Sequence, residues 1–444
     1  MRDFATSDSP AVQAQLDRLA ALSLPQGRFG LETIHALLDR LGNPQRALPP
    51  VFHVAGTNGK GSTCAFLRAM LEAQGYKVHA ATKPHLVRYN ERIRIAGKLI
   101  EDEHLAALLK EVLDAGEDLG PSFFEVTAAA TFLAFSREPA DACIIEVGLG
   151  GRFDATNVLD GQAACGIASL GIDHEGFLLV PEEGVPQDPL CRIAFEKAGI
   201  ARPGVPLVTQ AYRPDMTRTI IEHAMLVGAK TAIRDLDWFA EVGDGIAYRD
   251  RHGTLDLPVP ALIGAHQADN AALAVAMLRN QSQVEVSPEA MAQGIHSARW
   301  PARLQKLGPG PFTALFPGKT VLLDGAHNHA AAVALAEAMK PYAPYDLIFG
   351  LLGNRKVSQV LFPLAPGVRK AYVVPLYGHD HHDPRDIAAF AQSKASPRHC
   401  YPAFTLEQAA GWLGADPNGA DTVLIAGSLY LAGEVLRLNR EVPD

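Results

Sequence analysis

The stretch from Val51 to Leu71, VFHVAGTNGKGSTCAFLRAML, decides the fold. Its apolar run, Val51 to Val54, has the length of a buried strand. It stops at a glycine-rich turn, Gly56-Thr57-Asn58-Gly59-Lys60-Gly61-Ser62, from which an apolar helix pattern starts at once. Glycines let a backbone approach a polyphosphate closely, successive N–H groups and a helix N-terminus present positive partial charge, and Lys60 adds a full one. The strict spelling of such a cradle puts Ser or Thr directly after the lysine, whereas here Gly61 intervenes before Ser62. Strand, turn, lysine, hydroxyl and helix together predict a nucleotide-binding loop running from Gly56 to Ser62.

Working outward, Tyr76 to Ala81 reads as a second strand, so the unit predicts a right-handed crossover in a parallel sheet. Upstream, Val12, Leu16, Leu19 and Leu22, then Ile34, Leu37, Leu38 and Leu41, fall at helical spacing, with a break at Gly27 to Leu31 and a stop at Gly42-Asn43-Pro44. Downstream, Thr82-Lys83-Pro84-His85-Leu86-Val87-Arg88-Tyr89-Asn90-Glu91-Arg92-Ile93 gathers charged, aromatic and proline residues directly behind a strand. That is the make-up of a substrate loop at the carboxyl edge of such a sheet, with Arg88 a candidate contact.

A helix from Glu103 to Leu113 and an alanine-rich helix opened by Ser122-Phe123-Phe124-Glu125 follow. Ala142 to Val147 is then a buried-strand run that carries Glu146 near its end. A carboxylate at the tip of a parallel strand beside a phosphate cradle is where Mg2+ would be held. Gly148 to Asn157 is a second glycine-rich turn, and the strand-like run Ala164 to Leu170 leads to Gly171-Ile172-Asp173-His174. Read alone, His174 is more ordinarily a hydrogen-bonded structural residue, and Lys197 a helix-surface lysine.

At 444 residues the chain exceeds the roughly 100 to 200 of a typical domain, so two domains are expected. Hydrophobic residues, 48% of the chain, suffice for large cores, and a net charge of -9 weighs against nucleic acid or an anionic membrane as a general partner. No apolar run reaches the roughly 18 residues of a membrane span, and the opening MRDFATSDSPAVQ lacks the charged start and apolar core of a signal peptide. A soluble, cytoplasmic protein is expected. Five scattered cysteines without a C-x-x-C pair predict buried free thiols.

In order, GTNGKGS, PHLVRYNERI, FFEVTAAATFLAF, EVGLGGRFDATN, GIDH, FEKAGI, WPARLQ, LDGAHN and AGSLY span nearly the whole chain. Jointly they resemble the folate branch of the Mur ligase family, the dihydrofolate and folylpolyglutamate synthases. The resemblance implies an ATP-dependent ligase that converts a carboxylate to an acyl phosphate and couples it to L-glutamate, acting on dihydropteroate, on reduced folates, or on both. It implies Mg2+ held by Glu146, His174 and a carbamylated Lys197, and phosphates held by Lys60 and the backbone from Thr57 to Gly61. It also implies nucleotide contacts at Asn270, Arg303, Asp324 and His327, substrate contacts at Ser122, Phe123, Phe124, Glu125, Phe153, Asp154 and Ala155, and a monomer. The aromatic rings of Phe123 and Phe124 suit a flat pterin.

The expected architecture is α/β: a P-loop-type doubly wound sheet domain over 1-298, a linker near 298-302, and a smaller Rossmann-like α/β domain over 303-444. Strand-like runs at Thr320 to Leu323, Asp346 to Leu352, Ala371 to Val374 and Thr422 to Ala426 alternate with helix-length segments in the second half. Asp244 to Asp256 reads as a solvated hairpin, and the histidine-rich Gly378 to Asp383 as a loop.

Two departures from the family pattern stand out. Lys83 replaces the usual Ser of an SPHL motif, a magnesium ligand, and an ammonium cannot coordinate a cation. Lys83 is expected to take the ion's place and touch phosphate directly, the alternative being that it swings away. The second departure is a longer Glu175 to Cys191 excursion, expected on the surface over the metal site. Other readings are a Mur-type amide ligase acting on a different carboxylic acid, against which FFEVT and WPARLQ argue, and a catalytically impaired folate- or nucleotide-binding homologue, motivated by Lys83.

Overall fold

The computed structural model describes residues 6–22 and 30–443. Most of the Gly27 to Leu31 break lies outside the described residues; on either side of it stand the helices Pro10–Ala21 and Glu32–Arg40. The first sheet has eight strands: β1 (Val51–Ala55), β2 (Val78–Ala81), β3 (Ile93–Ile95), β4 (Lys98–Leu99), β5 (Ala142–Glu146), β6 (Ala164–Ile167), β7 (Pro206–Thr209) and β8 (Lys230–Ile233). Their order is β4-β3-β2-β5-β1-β6-β7-β8, parallel throughout except for β3 and β4. β1 is central and buried along its whole length, because side chains of alternate residues enter cores on opposite faces. Phe52 and Val54 pack with the Lys60–Ala73 and Ala265–Arg279 helices, while Val51 joins the Asp102–Gly116 and Phe123–Arg137 helices.

A three-stranded antiparallel sheet follows, β9 (Phe239–Val242), β10 (Ile246–Asp250) and β11 (Gly253–Leu257). The predicted hairpin is there, but it is not wholly solvated. Ile246, Tyr248 and Leu257 join the first domain's core, and Tyr248 stacks on Trp238.

The second domain is a six-stranded sheet in the order β12 (Gln305–Lys306), β13 (Thr320–Leu323), β17 (Thr422–Ala426), β14 (Tyr345–Phe349), β15 (Val368–Val373) and β16 (Cys400–Pro402), with only β12 antiparallel. Leu322, Leu347, Phe349 and Leu424 face one core and Val321, Ile348, Val423 and Ile425 the other, so helices cover both faces as the alternation predicts. All five cysteines are buried free thiols. No helix among the described residues is long and apolar enough to cross a membrane.

Candidate active site

The glycine-rich turn joins β1 to the Lys60–Ala73 helix at the carboxyl edge of the first sheet. Gly59 has φ +84°, and a Cβ there would sit 2.3 Å from Asn270 Oδ1; a Cβ on Gly61 would lie 2.8 Å from the Trp300 indole. Both glycines are required by what packs against the loop. Lys60 Nζ donates to the carbonyls of Gly56 at 3.1 Å and Thr57 at 3.4 Å, curling over its own loop. Ser62 Oγ is buried with no hydrogen-bond partner among the described residues, an orphan that a phosphate oxygen arriving at this helix N-terminus would satisfy.

Beside the loop, Glu146 closes β5, and its Oε2 accepts the Lys83 backbone N–H at 3.0 Å. Burial pushes its carboxyl upward against the pull of Lys60. The ring of His174 makes no protein hydrogen bond among the described residues, and burial lowers its pKa to about 4, so it is a neutral imidazole. Lys197, buried at the end of the Pro189–Ala198 helix, is lowered to about 7 by burial and then by Lys60; its Nζ has only a 3.5 Å contact with Gly150 O. A cavity of about 20 Å³ is lined by Lys60, Asp173, His174, Leu178 and Lys197. His174 and Lys197 share this cavity and Glu146 lines the adjoining cleft, and a buried carboxylate, a neutral imidazole and an amine neutral enough to carbamylate are donors whose chemistry fits Mg2+.

A second wall of the cleft comes from two turns. Ser122 and Glu125 form a capping box at the start of the Phe123–Arg137 helix, with Glu125 N donating to Ser122 Oγ at 3.3 Å and Ser122 N to Glu125 Oε2 at 2.7 Å. Phe123 and Phe124 meet edge to face at 5.5 Å. Asp154 Oδ2 accepts the N–H groups of Gly148 (3.0 Å) and Leu149 (2.9 Å), and Oδ1 accepts Thr156 N (3.0 Å) and Oγ1 (2.5 Å). That carboxylate is the hub of the turn, so its side chain has a structural use beside any substrate contact.

From the second domain, Asp324 Oδ2 accepts Leu304 N at 2.7 Å and Oδ1 accepts Ala326 N at 2.8 Å. Burial raises its pKa against the field of Arg303. His327 is brought to about 4 by burial. One cleft of about 1670 Å³ is lined by the 57–62 loop, Ser122 to Glu125, Phe153 to Ala155, Glu146, His174, Asn270, Arg303, Asp324 and His327. Gly56 and Lys197 border the smaller cavity beside it.

The family model described as the Mur ligase glutamate ligase domain matches residues 313–429. A dihydrofolate synthase/folylpolyglutamate synthase of Escherichia coli is 35% identical over 421 residues, covering 92% of this chain and 91% of that one. The chain belongs to the dihydrofolate synthase/folylpolyglutamate synthase family of Mur ligases. Among solved structures, Escherichia coli FolC in complex with DHPP and ADP matches with a TM-score of 0.84 at 33% identity over 97% of each chain. A Yersinia pestis folylpolyglutamate synthase/dihydrofolate synthase complexed with AMPPNP and Mn ion matches at 0.82 and 30%, over 97% of this chain and 98% of that one.

Four residues in or behind the cleft, Arg92, Trp300, Asp173 and Arg355, stand outside the expected set, and one expected contact, Arg88, lies away from it. Arg88 is exposed, pairs with Asp102 at 3.1 Å and does not line the cleft; Arg92, four residues on, does. Trp300 packs on the glycine-rich loop, which its place in WPARLQ could have suggested. Asp173 and Arg355 pair across the domains, and no sequence signal announces that contact. Lys83 Nζ is enclosed, makes no hydrogen bond among the described residues and lies with Asp154 Oδ2 against Gly148. Burial lowers its pKa, and Asp154 is the leading carboxylate acting the other way.

The Glu175 to Cys191 excursion does cover the small cavity, through Leu178. It is anchored by Glu182, which takes Arg152 at 2.6 Å and Arg192 at 2.9 Å; both arginines also reach Glu196. In the histidine-rich loop, His381 Nδ1 bonds His379 O at 2.8 Å, His382 Nε2 bonds Arg355 O at 2.7 Å and Asp383 caps a helix. Backbone partners account for those side chains without a metal.

Proposed function

We propose that this chain is an ATP-dependent ligase that joins L-glutamate to dihydropteroate, to reduced folates, or to both, through an acyl phosphate. The observation that carries the reading is the single cleft that joins the phosphate loop, the aromatic wall and the second domain's polar residues. In this reading residues 1–298 bind nucleotide and pteroate, 303–444 present glutamate, and 298–302 is the linker. The protein works as a cytoplasmic monomer on small molecules, with neither nucleic acid nor membrane as a partner.

A carboxylate is a poor electrophile and is repelled by ATP, so the site must neutralise charge and align two anions. Lys60 and the N–H groups from Thr57 to Gly61 hold the phosphates, with Ser62 donating its free hydroxyl. Asn270 of the first domain and Arg303, Asp324 and His327 of the second close on the nucleotide from both sides. Phe123, Phe124, Phe153 and Ala155 hold the pterin and aryl rings, which fixes the carboxylate at the mouth of the loop. A carboxylate oxygen bonds to the γ-phosphorus as the bond from that phosphorus to ADP breaks. The glutamate amine then bonds to the acyl carbon, phosphate leaves with its oxygen, and the nitrogen loses a proton. Mg2+, when bound by Glu146, His174 and carbamylated Lys197, screens the phosphate charge.

Mixing the protein with dihydropteroate, ATP, Mg2+ and L-glutamate should release ADP, phosphate and dihydrofolate in equal amounts, and none when any one component is left out. Absence of turnover with both dihydropteroate and reduced folates would contradict the reading.

A further inference from the structure

The first domain's Asp173 stands one residue before His174 and is buried, and three side chains of the second domain converge on it. Arg355 Nη1 pairs with its Oδ1, Asn328 Nδ2 donates to its Oδ2 at 3.2 Å, and His327 Nε2 lies 4.0 Å from the same oxygen. Asp173 Oδ1 also accepts the backbone N–H of His174 at 2.7 Å. His174 has a left-handed backbone, φ +53°. That conformation is uncommon for a residue with a side chain and persists only where neighbours hold it. Asn328 reaches further. It exchanges amide hydrogen bonds with Asn58 of the nucleotide loop, at 2.9 and 3.2 Å.

We propose that Asp173 is a positioning residue, a clamp through which docking of the second domain sets His174 and the nucleotide loop together. The same carboxylate that shapes the His174 turn is held by Arg355 and Asn328, so the turn and Asn58 are both in place only when the domains are closed. A buried ion pair of this kind contributes geometry more than stability. When the domains part, Arg355 and Asn328 leave, and the carboxylate that bonds the His174 N–H loses its anchors and is hydrated. Chemistry thereby waits for closure, which protects the acyl phosphate from water. The inference rests on the ligase reading above and on His174 being a working residue of it.

The test is a double-mutant cycle on the full chain with Asp173→Asn and Arg355→Met, read by steady-state ligation and by small-angle scattering with saturating AMPPNP. Each single variant should lower kcat at least tenfold, with the ATP KM within about threefold, and should leave the nucleotide-bound molecule more expanded than wild type. The double variant should be no worse than the poorer single one, because both changes open the same contact. Multiplicative losses, or an unchanged scattering profile in Arg355→Met, would overturn the clamp. They would show instead that Arg355 acts on a substrate by itself. Should Arg355→Met not fold, Arg355→Lys and Asn328→Ala carry the same comparison. A wild type that ligates normally while the cycle is multiplicative removes the clamp alone; a wild type with no ligation removes the functional reading.

Discussion

At the scale of single residues, Asp154 is the group whose loss should be felt most. Its four accepted hydrogen bonds tie Gly148, Leu149 and Thr156 together, and it is the leading carboxylate near the enclosed ammonium of Lys83. Asp154→Asn would set an amide NH₂ against a donor and leave a buried N–H unsatisfied, at about 1–3 kcal/mol per group. Thermal melts should show a lower Tm, and pteroate binding should weaken with nucleotide affinity retained. Equal stability of the variant would mean that the hub is dispensable.

His53 gives a pH signature. Its Nε2 pairs with Thr156 Oγ1 at 2.9 Å and its Nδ1 is buried without a partner among the described residues, and burial lowers its pKa from 6.5 to about 3. Above pH 6.5 both folded and unfolded chains hold it neutral. As pH falls below 6.5 the unfolded chain takes a proton that the folded chain refuses until about pH 3. Stability is therefore lost across that window, by up to about 1.4 kcal/mol per pH unit. Denaturant melts between pH 7 and 4 should show a steeper loss in wild type than in His53→Gln. For Lys197, lowered to about 7, the neutral amine that attacks carbon dioxide predominates above that pH. Activity should fall in carbonate-free buffer and return with bicarbonate; indifference to bicarbonate would count against carbamylation.

Among the elements, the glycine-rich loop is the most exacting. Gly61→Ala would drive a methyl into a rigid indole at 2.8 Å, where neither partner can turn aside cheaply. Nucleotide affinity should drop at least tenfold, on the order of 1.4 kcal/mol or more, and Trp300→Ala in the same chain should recover part of it. Isothermal titration with AMPPNP decides this, and a Gly61→Ala variant that binds as wild type would show that the packing is not required.

This loop was also the most legible part of the chain, because strand, turn and helix signals occupy consecutive residues. β1 and β17 match their apolar runs almost residue for residue. β3, β4 and β12 went unread because they are two or three residues long, too short for any periodicity. β7, β8 and β16 also carry little contrast, with four, four and three residues beside exposed turns.

At the scale of the whole molecule, motifs hundreds of residues apart are walls of one cleft. Their identities were readable because each carries a spelled motif. What could not be read is how the walls touch. Asp173 meets Arg355 across 182 positions, and neither belongs to a pattern that names the other. Lys83 illustrates the same limit from the other side. The sequence marks it as unusual, but only the packing shows its side-chain nitrogen enclosed beside Gly148, with no hydrogen bond to Glu146 or any other described group.

The central claim, that the acid's own oxygen is phosphorylated within this cleft, is tested most directly by isotope transfer. Dihydropteroate labelled with ¹⁸O in its carboxylate is turned over with ATP, Mg2+ and L-glutamate, and the released phosphate is analysed by mass spectrometry. One ¹⁸O should appear in each phosphate released per amide formed. Amide formation accompanied by unlabelled phosphate would contradict it.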